Sequence, residues 1–474
     1  MEVKIVSEIW LRPSSPTPPH LRHYRLSLID LLTPGTCMPF IFFYKHDELI
    51  NPNHQLELLK NKLSETLSDF YVLAGKLGDD LTVVICNDDG VRYVEARVDC
   101  EMSEVMSHSD LTQMNTLLPS DDHLKFNGTH LASIQINVFE CGSLAIGVCI
   151  AHKIIDAAGA GVFMNAWAAA ARSSVDDSTP KPNFNSSSVF QAKNPWPKEV
   201  AALFEPNLKL GNYITRRLVF DPPSIEKLRD EVAAGMRQRP TRVQALSALL
   251  WKSHMKAFHK MKELKNEEKG ITSSTSALYH TVNLRTRTRA ALPITNHTVG
   301  NLAWYATALT HHSLTPDLSF LSQKIREGIA KLDADFVDRL KGDEAEAKPA
   351  VFEFMKDITT PLSSQIAFAS WCRLGLYDPD FGWGKPVWIG GWAVKTAAFY
   401  NRVVCFGGSE PSPKRNPTLL PDSITPVSRN SIRGKVTWHN GSCQNNSLRS
   451  NIANLSLATK MSPVGENYED LYGN

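Results

Sequence analysis

A histidine and an aspartate four positions apart, His152 and Asp156 in the stretch CIAHKIIDAAG, are the first residues whose types and spacing suggest proton-transfer chemistry. A neutral imidazole accepts a proton near neutral pH, and a carboxylate one helical turn away can orient the ring or balance its charge. With 15 histidines in 474 residues, about one such pair arises by chance, so its context must carry the weight. The alternating run LAIGVCIA ends just before it and the small-residue stretch AAGAG follows, so the pair sits where a predicted strand passes into a predicted helix. Such a junction exposes a side chain while fixing its backbone. A core histidine bonded to a neighbour fits the same residues, and the spacing alone leaves both readings open.

The second conspicuous segment is SWCRLGLYDPDFGWGKP, residues 370–386. Two tryptophans, three glycines and an aspartate between prolines predict a constrained aromatic turn. Asp380-Phe-Gly382 invites comparison with the metal-binding DFG of protein kinases, but HRD, a glycine-rich phosphate loop and a VAIK-type strand are all missing. GxSxG, HExxH and cysteine metal patterns are absent too, so neither a nucleophile-elbow hydrolase nor a metal site is expected. His259 and Glu263 stand among lysines and read as a solvated helix face; His311 and His312 read as surface residues at a helix start.

The elements that must position these residues interleave along the chain. Strands are expected at Val3–Leu11, Met38–Tyr44, Leu81–Ile85 and Val91–Val98, with a helix over Asn53–Phe70. Leu131–Phe139 and Leu144–Ala151 form a hairpin candidate, and a helix follows from about Ala158 to Arg172. After a Ser-, Asn- and Pro-rich crossover the alternation resumes with a strand at Tyr213–Phe220 and helices at Ser224–Ala234 and Thr241–Phe258. A strand at Leu278–Leu284 and one long amphipathic helical region over Thr315–Leu340 come next. Gln365–Arg373, Ala393–Ala398 and Arg402–Phe406 read as the later strands. Beyond Gly407 neither the helical nor the strand period holds, which predicts a poorly ordered tail adding no strand.

At this length two domains in contact are expected. A hydrophobic content of 42% with 21% charged residues is ordinary for a folded chain, and 51 basic against 49 acidic residues give a net +2. That balance offers no reason to expect nucleic acid or an anionic membrane as partner. The amino terminus carries acids and prolines where a secretory signal needs an apolar core, and no segment approaches the ~18 apolar residues of a membrane span. A cytoplasmic protein is expected, its eight cysteines reduced because none shows CxxC spacing.

Taken in order, HxxxD in the first third and DFGWG in the last quarter resemble the plant BAHD family of acyl-CoA-dependent acyltransferases. SSPTPPHLRHYRLSLIDLL (14–32), LSDFYVLAGKL (67–77), CNDDGVRYVEARV (86–98), PTRVQALSALLW (240–251), VNLRTR (282–287) and VGNLAW (299–304) are similar as well. The likeness covers roughly residues 1–405 and looks nearest the branch of alkaloid O-acetyltransferases of the vinorine synthase type. It implies an α/β fold of two chloramphenicol-acetyltransferase-like domains, each a mixed sheet flanked by helices, with a channel between them. The expected division is an N-terminal domain over 1–172, a crossover over 173–212, a C-terminal domain over 213–406 and an atypical tail over 407–474.

The resemblance assigns His152 as general base and offers the Trp371 indole N–H as a donor to the thioester oxygen. It makes Asp156 a brace paired with Arg285, and gives Asp380, Gly382, Trp383 and Gly384 a structural role in their turn. Acyl-CoA would be a co-substrate with no bound cofactor, a small-molecule alcohol the acceptor, and the enzyme a monomer. The YFGNC stretch of the family's malonyltransferases is absent, with VGNL at 299–302, which favours acetyl-CoA as donor. CFGGSEPSPKRNPTLLPDS stands where the family continues with a DGIEAWV-like strand and helix. That departure keeps a second expectation open, a weak or inactive relative that binds a metabolite or CoA.

Overall fold

The computed structural model describes residues 1–47, 51–107, 111–119, 130–173, 181–192, 209–210, 213–265, 275–311, 316–341, 344–359, 364–391, 397–398, 401–407 and 434–441. Two six-stranded mixed sheets dominate them. The first runs, in spatial order, Val3–Leu11, Val91–Val98, Ala132–Phe139, Leu144–Ala151, Cys37–Tyr44 and Trp388–Gly390. Its inner strands CMPFIFFY and LAIGVCIA are buried almost throughout, as an unbroken apolar run must be when both faces of a sheet are covered. Phe40, Phe42 and Phe43 are each 1% exposed or less, and burying a ring of that size contributes roughly 2–3 kcal/mol.

The helix Ala157–Ala171 lies on the core side of this sheet, and its small residues let it pack closely. A Cβ on Gly161 would stand 2.2 Å from the Leu374 carbonyl oxygen, so only glycine admits the 371–386 segment at that distance. Trp167, on the same helix, donates from Nε1 to the Leu59 carbonyl at 3.0 Å and ties it to the helix Pro52–Asp69.

The second sheet runs Tyr213–Phe220, Gly434–Gly441, Asn401–Phe406, Ser364–Ser370, Thr275–Asn283 and Ala303–His311. Its helices include Arg242–Lys265, opened by a reciprocal cap: the Gln244 amide N–H reaches Thr241 Oγ1 at 3.1 Å and the Thr241 N–H reaches Gln244 Oε1 at 2.9 Å. Trp251 fills the core between that helix and the sheet and donates from Nε1 to Ser276 Oγ at 2.9 Å.

Several expectations change. The region 315–340 is two helices, Leu318–Ala330 and Ala334–Lys341, because Asp333 accepts the Phe336 amide at 2.9 Å and starts a new turn. His311 closes the strand Ala303–His311 rather than opening a helix, while His312 lies outside the described residues. The C-terminal stretch does not keep to its own sheet, since Trp388–Gly390 pairs antiparallel with Ile41–Phe43 of the first. The tail contributes a strand where none was expected: Gly434–Gly441 pairs with both Tyr213–Phe220 and Asn401–Phe406. The rest of the expected disordered tail, apart from Gly407, falls outside the described residues. Among the described residues no helix is long and apolar enough to cross a membrane.

The place of Gly434–Gly441 generates a prediction. A chain ending at Gly407 leaves two strand edges unpaired in the middle of the second sheet. It should melt at a lower temperature and give less soluble protein than the full chain; equal melting of the two would remove this strand from any account of the sheet.

Candidate active site

His152 stands one residue beyond the strand Leu144–Ala151, and its backbone is held from two sides. Its N–H donates to the Thr36 carbonyl at 2.8 Å, within the first domain. Its carbonyl accepts from Asn301 Nδ2 at 2.6 Å, across from the second. The ring is half-buried, and its Nδ1 is buried with no hydrogen-bond partner. Burial pushes the imidazole below its ordinary value of 6.5, opposed by its own backbone carbonyl. The Arg402 guanidinium pushes the same way as burial, and Asp156 and Asn301 the other. The net direction favours the neutral ring, which is the form that accepts a proton.

Asp156 does not orient that ring, because every direction of its carboxylate is already used. As N-cap of the Ala157–Ala171 helix it accepts the Gly159 N–H at 2.9 Å. Arg285 grips it with two nitrogens, Nη1 to Oδ2 at 2.7 Å and Nη2 to Oδ1 at 2.9 Å. The Leu302 N–H completes the set at 3.0 Å. The paired side chains are 1% and 8% exposed, so this ion pair is buried. Burial alone would raise the Asp156 carboxyl, but Arg285 and the two backbone donors outweigh it and hold the group below its ordinary value.

Arg285 is itself fixed by the Thr298 and Gly300 carbonyls, which accept from its guanidinium at 2.8–3.2 Å. The backbone of VGNLAW therefore wraps the pair. Gly300 has φ +130, and a Cβ there would lie 2.6 Å from Ser186 Oγ, so the turn that aims Asn301 and Leu302 at the first domain needs glycine.

Sequence reasoning passed over two members of this seam. Asp30, fully buried in SLIDLL, accepts from Asn301 twice at its Oδ1, from N at 2.7 Å and from Nδ2 at 2.9 Å. Its Oδ2 accepts from the Ser27 N–H at 2.9 Å and the Ser27 hydroxyl at 2.7 Å. Burial raises the Asp30 carboxyl, and these donors only partly offset that. The available signal was an Asn directly after a glycine in VGNLAW, with an acid inside the otherwise apolar SLIDLL.

Trp371 lies at the same junction of domains, its ring 4.9 Å from Phe40 and 5.1 Å from Phe406 between ring centres. Its backbone N–H donates to the Cys405 carbonyl at 2.8 Å. Asp380, Gly382, Trp383 and Gly384 lie elsewhere, at the far end of the Ala157–Ala171 helix. There Asp380 Oδ1 accepts the N–H groups of both Gly382 and Gly384 at 2.9 Å, and the two glycines have φ +105 and +101. Phe381 is buried against Tyr44, Trp167 and Trp383. Among the described residues no three metal-ligating side chains come together.

Two mixed sheets flanked by helices, with a half-buried histidine held through its backbone at their seam, fit the two-domain acyltransferase class. Comparison with known proteins agrees: the Transferase family model matches residues 1–406. Among curated relatives, the epi-neemfruitin B 7-O-acetyltransferase of Melia azedarach is 35% identical, covering 86% of this chain and 90% of its own. The limonoid 7-O-acetyltransferase of Citrus sinensis is 34% identical, over 82% and 87%. The crystal structure of vinorine synthase superposes with a TM-score of 0.72 at 26% identity, covering 96% of this chain and 98% of that one. The chain belongs to the BAHD acyltransferase family.

Asn301 is the side chain on which the placing of His152 turns. Asn301→Ala leaves the His152 carbonyl and the buried Asp30 carboxylate each one donor short, at a cost of about 1–3 kcal/mol. Urea unfolding should show that loss, and turnover should fall more than any substrate KM changes. A variant indistinguishable from the parent in both would take this side chain out of the seam.

Proposed function

We propose that this acyltransferase moves an acetyl group from acetyl-CoA to a hydroxyl of a bulky plant metabolite, an alkaloid or a similar polycyclic alcohol, without a covalent enzyme intermediate. The observation that carries the reading is His152: a half-buried imidazole with its backbone fixed from both domains and its ionisation shifted toward the neutral form. The O-acetyltransferases of Melia and Citrus support the acyl group and the kind of acceptor.

The steps follow from the chemistry of a thioester. Acyl-CoA and acceptor enter a channel between the domains and meet at His152. The imidazole takes the hydroxyl proton as the oxygen attacks the thioester carbon. Negative charge then gathers on the carbonyl oxygen, where the Trp371 indole N–H is the proposed donor. When the tetrahedral intermediate collapses, the carbon–sulfur bond breaks and the imidazolium returns its proton to the CoA sulfur. Ester and free CoA leave, and the histidine is neutral again. Asp156 takes no part in the proton path; with Arg285 it braces the loop that carries the base. Acetyl-CoA is a substrate in this scheme, and we take the enzyme to act as a cytoplasmic monomer.

Two measurements on one assay test the reading, with released thiol followed from acetyl-CoA and a panel of alcohols. His152→Ala should lower turnover by roughly 10²–10⁴-fold with little change in melting temperature; turnover equal to the parent would end the assignment. The base must be unprotonated to work, and its pKa lies below the ordinary 6.5. The acid limb of kcat/KM should therefore have its midpoint below that value, with activity holding as the pH falls through 6.5 and dropping only beneath it. A midpoint at or above 6.5 would mean that the titrating base is not this buried imidazole.

A further inference from the structure

The strand Asn401–Phe406 sends alternate side chains to opposite sides of the second sheet. Val403 and Cys405 enter the helix-covered core with Trp251, whereas Val404 and Phe406 join the core of the first domain. Arg402 shares the side of Val404 and Phe406, so it points into the seam between the sheets. In register it stands beside Ala367, which packs in one cluster with Leu28, Ile29 and Leu32 of the first domain. The far end of the strand locates it along the seam. There the Trp371 ring joins Phe406 to Phe40, and Thr36, which holds the His152 N–H, is as many residues from Phe40 as Arg402 is from Phe406. The charge of Arg402 is accordingly felt at His152.

The neighbouring charges have partners. Asp156 is held by Arg285, and Asp30 by Asn301 and Ser27. Lys153 donates to the Leu31 carbonyl at 2.8 Å. Arg217 projects from the same side of the sheet, two strands away, where it donates to the Met106 carbonyl at 2.7 Å and lies 4.8 Å above the Trp388 ring. Arg402 differs: it is half-buried, and among the described residues no carboxylate, carbonyl or ring meets its guanidinium.

A guanidinium drawn partly out of water without a counter-ion is costly, and a carboxylate satisfies it through paired N–H donors. A protonated amine in the same place is repelled, the more so where protein excludes water. The acids nearby do not reverse that balance, since Asp156 is neutralised by Arg285 and burial raises the Asp30 carboxyl toward its uncharged form.

We propose that Arg402 sets acceptor specificity by binding a carboxylate carried close to the reacting hydroxyl, so that the acceptor is a polycyclic hydroxy acid and not a protonated amine. The proposal rests on the reading of His152 for the position of that hydroxyl. A carboxylate on the acyl group would offer the guanidinium the same chemistry, and the donor arm of the test separates the two sources.

The full chain is titrated by calorimetry with three cage alcohols of one shape: 3-hydroxyadamantane-1-carboxylate, its neutral carboxamide and the cationic 3-aminoadamantan-1-ol. The acid should bind about tenfold more tightly than the amide, as one charge-assisted contact implies, and the amine most weakly. Arg402→Gln should remove the advantage of the acid without lowering the melting temperature, because no protein partner is lost, and Arg402→Glu should reverse the order. In His152→Ala the order should persist. A parent without charge preference, or a preference that survives Arg402→Gln, would overturn the proposal whatever His152→Ala does to turnover. In thiol release, a preference for malonyl-CoA over acetyl-CoA that Arg402→Gln abolishes would place the carboxylate on the donor and overturn it as well.

Discussion

One buried ion pair sets the terms for the rest of the molecule. Asp156 ends the segment that carries His152, and Arg285 stands two residues beyond the strand Thr275–Asn283 of the other sheet, 129 residues further along the chain. Removing both charges from water is costly, and an unpaired partner left in the interior costs about 3–5 kcal/mol. The two sheets must therefore meet at this point and in this orientation. The pair is bidentate, capped by two backbone N–H groups on one side and by two carbonyls on the other. A geometry with so many partners tolerates little displacement, and this makes it a fixed reference for the residues around it.

What the reference fixes is the backbone of His152. Leu302 reaches Asp156 while its neighbour Asn301 reaches the His152 carbonyl, so the same turn of chain reads both ends of the HxxxD segment. Asp30 in turn holds Asn301 by two hydrogen bonds. The placing of His152 thus comes through its backbone, from Thr36 on one side and Asn301 on the other. On the proposed mechanism that is the useful division of labour: a thioester needs no covalent relay, only a neutral imidazole held in one place.

Much of this was legible in the sequence where the physical signal is local. Val3–Leu11, Val91–Val98 and Tyr213–Phe220 agree with the strand pattern residue for residue, since alternation or an apolar run over eight or nine positions admits few other readings. The strand Ala303–His311 was missed because several of its inward positions are the small residues Ala306, Ala308 and Thr310, which give alternation little contrast. Glu344–Thr359 was missed as a helix; it contains Pro349 and begins among charges. The strand Gly434–Gly441 carries only a short alternation, Lys435-Val-Thr-Trp-His439, inside a long polar stretch, and its neighbours in the sheet define it. At the site, HxxxD was visible and Arg285 followed from family likeness, but Asn301 and Asp30 were not. Asn301 is 149 residues from His152 and 271 from Asp30, and no local pattern encodes a contact across such spans.

The claim that the Asp156–Arg285 pair locks the two sheets is tested most directly by a double-mutant cycle on unfolding free energy, using Asp156→Asn, Arg285→Met and the two together. If the pair is the lock, each single change leaves a buried group without its partner, and the double variant loses far less than the sum, with a coupling of roughly 2–3 kcal/mol. Losses that add to within about 0.5 kcal/mol would show two independent residues, and the seam would have to be held by something else.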